Sequence, residues 1–482
     1  MTSAVPKSHP PTPPKGLRVD ALGRVATLVI GIGSTAPAYS LAASLGLVAG
    51  PVGVHAPAVL LLSFLPMFCV AVAYAAMNRR DPDCGTTFAW VGRAMGPRLG
   101  WLGGWSIIVA DLLVMASLAQ IAGMYTFKLV GWEAAARSAP AVASVGVLWI
   151  AAMTWLCYRG IKVTARMQVV LLAIEILALG LLAVAALRST YGAPQPGAVW
   201  PSIHWLNPFG VPSASALAEG FLVAIFIYWG WDTAVAVNEE THNPRHTPGF
   251  AAIASTVLLV VIYVFSAMGA QAYRGPAFLS AHPDDVLSAL GTNLLGSPWD
   301  RLIIFAVLIS AAACTQTTIL PTARTCLSMA SAKALPAVFG RVHGKHRVPH
   351  VATLAFGIAS ALWYIGLVSL STDLLAASIP ALGLVIAFYL GLSSLACPIL
   401  HGRELFRSVR VAIAAGVLPI IGAVVFAWVL VMGCVDLIHR GPFLFGVNLG
   451  LLTAAGLYAI GLGCMIAWRR KAPGYFQRRH RR

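Results

Sequence analysis

The sequence predicts an all-α polytopic membrane protein with about twelve transmembrane helices. Three observations carry that. Hydrophobic residues make up 59% of the chain and charged residues only 10%, against about a quarter in a soluble domain. Apolar runs of roughly 20 residues, the length that crosses a bilayer, recur from one end to the other. The basic residues collect in alternate loops, as they do when a chain weaves through a membrane.

In order, the expected spans are 24–47, 56–77, 101–130, 140–158, 168–187, 215–238, 249–272, 299–322, 350–369, 375–397, 411–434 and 444–468. Each must be a helix, because lipid offers no partner to free backbone groups. The third is long enough for its first turns to project from the bilayer. Residues 1–20 are proline-rich and polar (KSHPPTPPKG) and read as a disordered tail, not a signal peptide. Residues 21–468 form one membrane domain, with no soluble domain expected, and 469–482 a basic tail.

With both termini cytoplasmic, 27 of the 33 Lys and Arg fall in inside segments, which is a strong positive-inside pattern. It places the chain in the cytoplasmic membrane and accounts for the net charge of +17. The partner of that charge is anionic lipid, above all at RRKAPGYFQRRHRR, and not nucleic acid. The eight cysteines are scattered, without a CxxC pair, and read as small core residues. The histidines of HGKHRVPH (His343, His346, His350) lack acidic or thiol partners, and their basic neighbours oppose a cation. No metal or cofactor is expected.

Two spans contain residues that weaken helices. Span 1 carries VIGIGSTAPAY (Val29–Tyr39). Gly31, Gly33 and Pro37 disfavour helix continuation, and Ser34 and Thr35 can redirect backbone hydrogen bonds. Either the helix is broken at its middle or the glycines serve close packing. If it is broken, the freed N–H groups of its second half would favour an anionic group such as a carboxylate. Span 6 carries FIYWGWDTAVAVNEE (Phe226–Glu240), with Gly230 between two tryptophans and Asp232 at membrane depth. A carboxyl there costs about 2.5–3.5 kcal/mol to insert, so function is its default reading. Spans 1 and 6 open two sets of five, and matching interruptions point to an inverted-repeat transporter. The repeats cover about 24–187 and 215–397, with peripheral helices over 411–468.

Five segments, GIGSTAP, CGTTFAWVGRAMGPRLGWLGGW, YRGIKVTARMQ, NEETHNPRHTP and TARTCLSMASAKALPAVFGRVHGKHRVPHVAT, follow in that order. Through them the sequence resembles, over nearly its whole length, the amino acid–polyamine–organocation superfamily of permeases, in its bacterial amino-acid permease branch. Thr86 stands where the family usually has a second glycine. The resemblance implies a 5 + 5 inverted repeat plus two peripheral helices. It also implies a substrate site between broken helices 1 and 6, walled by helices 3 and 8, and alternating access without ATP.

It further implies site residues. Gly31, Ile32, Gly33, Ser34 and Thr35 match the segment whose backbone holds a substrate carboxylate. Phe226 falls at an aromatic gate. Tyr228, Trp229 and Gly230 cover an unwound stretch whose carbonyls accept from a substrate ammonium. Asp232 could bind an amine, carry a proton, hold the break, or make a structural ion pair. Asp111, in span 3, faces the site in relatives and suits a positive substrate; its plainer reading is a polar contact to a neighbouring helix. Glu175, in span 5, replaces a lysine that mimics sodium in some relatives. Burial favours a neutral carboxyl, so it is a candidate coupling-proton carrier, or equally a structural partner of helix 1 or 8. Ser310, Thr315, Thr317 and Thr318 of span 8 keep sodium open as an alternative coupling ion.

The expected function is secondary transport of an amino acid or related amine, driven by protons. The alternative is an exchanger for polyamines or cationic amino acids. A membrane enzyme would need a clustered nucleophile and base, or a metal set, and neither is visible. No Walker motif or selectivity-filter pattern occurs.

Overall fold

The computed structural model describes residues 15–283, 285–439, 441–444 and 446–477, without the side chains of 372–374 and 376. Its first half holds α1 (Arg24–Gly33), α2 (Pro37–Val52), α3 (Ala56–Arg80), α4 (Thr87–Met95), α5 (Pro97–Leu129), α6 (Glu133–Ala136), α7 (Ala139–Tyr158) and α8 (Ile161–Gly192). The second holds α9 (Ala214–Phe226), α10 (Thr233–Ala236), α11 (Thr247–Ser280), α12 (Val286–Leu295), α13 (Asp300–Ser331), α14 (His350–Leu370) and α15 (Thr372–His401). There follow α16 (Val409–Ala412), a π-turn into α17 (Leu418–His439), the hairpin β1 (Phe443–Leu444) and β2 (Val447–Asn448), and α18 (Leu449–Lys471).

Helix starts follow local chemistry. Pro37, Pro57, Pro97, Pro140 and Pro248 each occupy the first or second helical position. A missing N–H costs nothing there. Among the described residues, ten segments are long and apolar enough to cross a membrane. The first, Arg24–Arg80, contains two of the expected crossings, because the chain reverses at Gly53. The shorter apolar α9, with α10, takes the place of the sixth. This is the all-α polytopic fold the sequence predicts. Two details differ: α8 begins at Ile161 and α13 runs to Ser331, each well beyond the expected span. Helix α12 was not anticipated, because ten residues of VLSALGTNLL fall short of a membrane run.

α13 is the most enclosed span, with 89% of its apolar window buried, against 22% for both the α16–α17 segment and α18. α13 therefore forms the centre, packed on α5, α8, α7 and α14, while the last two spans lie outside.

The expected disordered tail over 1–20 needs correction. Residues 1–14 lie outside the described residues, but 15–20 are held in place. Lys15 Nζ pairs with Asp83 Oδ1 at 2.8 Å and Glu239 Oε1 at 2.7 Å, and its side chain is 4% exposed. Ser328 Oγ donates to Asp83 at 2.7 Å. The N–H groups of Ala21 and Leu22 donate to the Glu240 carbonyl, and Arg324 Nε donates to Glu240 Oε2 at 2.6 Å. Polar loops that the sequence leaves unpaired thus close one end of the bundle around this lysine. Asp83, Cys84 and Glu239 offer ligand atoms close enough for a metal, but the Lys15 ammonium fills that position. At the other terminus, Tyr475 stacks on Phe88 of α4. Residues 478–482 of the basic tail lie outside the described residues.

Burial alone favours the neutral forms of this pair. The carboxylates outweigh it at Lys15, which titrates above the usual lysine range. The ammonium outweighs it at Asp83, which titrates below the usual carboxylate range. The raised lysine contributes fully below its unfolded value of about 10.4, and the lowered aspartate fully above its own of about 3.9. The pair is therefore at full strength between those limits. Lys15→Ala is predicted to cost about 3 kcal/mol, the penalty for breaking a buried ion pair. Thermal unfolding in detergent should show a lower midpoint, with a gap to wild type that is constant from about pH 5 to 8. A gap that closes within that window would contradict the pairing.

Candidate substrate site

The first interruption lies at Ser34–Ala36, where Ala36 takes a left-handed conformation (φ 46°) and Pro37 opens α2. The backbone donors around it are all engaged. Ser34 donates to the Ile30 carbonyl, Thr35 to Ile32 and Ala36 to Gly33. Ala38 N–H donates to Glu175 Oε1 at 2.7 Å and Tyr39 N–H to Ser310 Oγ at 3.2 Å. Ser40 N–H returns to the Ala36 carbonyl. The Ser310 hydroxyl in turn donates to Glu175 Oε1 at 2.6 Å. Glu175 is fully buried, and its Oε2 has no hydrogen-bond partner among the described residues. A carboxyl of α8 therefore caps α2, the place where the sequence reading puts free donors. Of its two alternatives for Glu175, the structural one is present in the geometry, and it reaches both helices named.

The second interruption separates α9 from α10. Gly230 has φ 120°, open in practice only to glycine, and a Cβ there would stand 2.4 Å from the Ser34 carbonyl oxygen. The two breaks thus touch through their backbones. Beside them Trp229 Nε1 donates to Tyr389 OH, which donates to Asp232 Oδ2 at 3.0 Å. Across the gap Thr322 Oγ1 donates to Asp111 Oδ2 at 2.5 Å.

These residues enclose a small cavity lined by Ser34, Ile107, Asp111, Trp229, Gly230, Asp232, Thr233, Thr318, Pro321 and Tyr389. Its free volume is ≈ 10 Å³, the space of about one water. Two carboxyls, an indole and a phenol converge there, and no Lys, Arg or His lines it.

Five of the expected substrate residues meet at this cavity: Ser34, Asp111, Trp229, Gly230 and Asp232. The others do not line it. Gly31, Ile32 and Gly33 lie in regular α1. A Cβ at Gly31 would meet Ser255 Oγ at 2.5 Å, and one at Gly33 would meet Gln168 Oε1 at 2.5 Å, so both glycines allow close helix packing. Thr35 Oγ1 donates back to the Ile32 carbonyl. Tyr228 is buried toward α3 and α11, donating to the Leu60 carbonyl at 3.0 Å and meeting the Tyr263 ring edge-on. Phe226 sits against Gly383 of α15. In span 8, Thr315 and Thr317 bond to carbonyls of their own helix. Tyr389 and Thr322 were not anticipated. A tyrosine inside an apolar span (VIAFYLGL) was the available signal for the first; nothing distinguished the second from the other threonines of α13.

A family model described as amino acid permease matches residues 22–449. The chain belongs to that family. Its relatives include an uncharacterized transporter of Mycobacterium tuberculosis, 26% identical over 70% of this chain and 72% of the relative. A branched-chain amino acid permease of Bacillus subtilis is 25% identical over 61% and 63%. A low-affinity putrescine importer of Escherichia coli is 22% identical over 71% and 73%. The chain is thus a transporter of the amino acid permease family and not an enzyme.

Gly230→Ala tests whether the breaks depend on backbone contact. The left-handed penalty and the overlap with Ser34 together predict a loss of about 3 kcal/mol. Thermal unfolding should fall by several degrees and substrate binding should weaken. A stable variant with unchanged binding would show that the breaks can separate freely.

Proposed function

We propose that this permease is a secondary active transporter that carries an amino acid or related amine across the cytoplasmic membrane by alternating access, coupled to protons. The observation that carries the reading is the closed cavity where the two interruptions meet. Its carboxyls can hold an ammonium, yet ≈ 10 Å³ admits no such molecule. Substrate can enter only if α1–α2 and α9–α10 move apart. Breaks that pivot against α5 and α13 provide that motion, and the gate would open to one side at a time. The relatives named for amino acid and putrescine transport support the substrate class. The positive-inside pattern supports cytoplasmic termini, with the Lys15 network as the inner seal.

Glu175 links protons to the motion. Ionised, it holds the positive end of α2 and the Ser310 hydroxyl of α13 on one oxygen. Protonation weakens both bonds and releases α2 from α13. The inward proton flow that drives accumulation would pass through this carboxyl.

Purified protein in proteoliposomes tests the reading. Uptake should be driven by an inward pH gradient and not by a sodium gradient. Glu175→Gln, similar in size but without the proton, should keep substrate binding and lose accumulation. Uptake that needs only internal substrate and ignores both gradients would make the protein an exchanger and Glu175 a structural cap.

A further inference from the structure

Resting on the transporter reading above, we infer that the substrate is an organic cation without a carboxylate, a diamine above all, and that Glu175 is the residue that excludes amino acids. A zwitterionic amino acid needs two receptors: acceptors for its ammonium and donors for its carboxylate. The cavity supplies the first twice. Asp111 on α5 and Asp232 at the second break both line it, with no basic side chain among the lining residues. Trp229 adds an indole, and aromatic faces attract ammonium groups. Two carboxyls taken from water ionise only with positive charge beside them. A zwitterion brings none in net terms, whereas a diamine brings two.

The second receptor is already occupied from within. An α-carboxylate at a broken helix would take N–H groups at the start of the second half-helix. Here the first position of α2 is Pro37, which has no N–H. The next two donors are taken by Glu175 and Ser310, and the turn donors of Ser34, Thr35 and Ala36 bond to carbonyls of α1. A substrate carboxylate would have to displace the buried Glu175 carboxyl, and would then lie close to it with like charge. Glu175 is an internal carboxyl in the position where a substrate carboxylate would otherwise gain its donors.

Lysine and 1,5-diaminopentane make the cleanest probes, because they differ only by the carboxylate. Full-length protein in nanodiscs, with labelled 1,5-diaminopentane and competing ligands, reads the difference. The diamine should bind at least roughly tenfold more tightly than lysine. Lysine methyl ester, whose carboxylate is masked, should recover most of that gap, and leucine should compete poorly. Glu175→Ala should narrow the lysine-to-diamine gap, while Asp111→Asn and Asp232→Asn should each weaken the diamine by roughly tenfold. If Glu175→Ala does not fold, the wild-type comparison decides alone. Lysine binding as tightly as the diamine, or the ester binding no better than lysine, would overturn the inference. Transport of lysine or leucine with no response to the diamine would overturn it too, and leave the transporter reading standing. Binding of no amine or amino acid at all would overturn both.

Discussion

A backbone that leaves its helix inside a membrane must find every hydrogen bond within the protein. The rest of this structure depends on how that demand is met at Ser34–Ser40. One carboxyl, Glu175, reaches from α8 to cap α2, and Ser310 extends the cap from α13. Three helices, α2, α8 and α13, are tied together at that point. The second break is held partly by the first, through Gly230 against the Ser34 carbonyl, and partly by the Trp229–Tyr389–Asp232 chain.

The electrostatics of the centre follow from the same economy of groups. The first two N–H donors of α2 are taken by Glu175 and Ser310, and those of Ser34, Thr35 and Ala36 by carbonyls of α1. What remains facing inward is acceptor-rich: Asp111, Asp232 and the rings of Trp229 and Tyr389. Charge at the Lys15 end behaves differently. There the carboxyls of Asp83 and Glu239 meet an ammonium directly, so the interaction ties the N-terminal segment to the loops before α4 and after α10. The centre gathers two carboxyls that meet hydroxyl donors, whereas the end pairs its carboxyls with an ammonium. That contrast suits a molecule that opens around its middle.

Much of the fold was legible in the sequence, because membrane spans are set by hydropathy. Both interruptions were legible too. Pro37 at membrane depth in span 1, and Gly230 with Asp232 in span 6, disfavour an unbroken helix. Which atoms would face the cavity was not legible. Gly31 and Gly33 carry the same sequence signal as Gly230, yet they pack against Ser255 and Gln168. Helical phase and neighbouring side chains decide that, and both come from tertiary packing. Tyr228 and Trp229 are adjacent aromatics; one turned to α3 and the other to the cavity. The place of Glu175 needed the structure as well, since nothing in VVLLAIEILAL names the backbone it caps. The hold on Lys15 was hidden because its partners lie 68 and 224 residues away.

The most direct test is an electron cryo-microscopy map of the protein with 1,5-diaminopentane bound. The account predicts ligand density between Asp111 and Asp232, beside Trp229, with the Glu175 carboxyl still on the Ala38 amide. Ligand density away from the two breaks would contradict it. So would a Glu175 side chain swung off α2 with the ligand in its place.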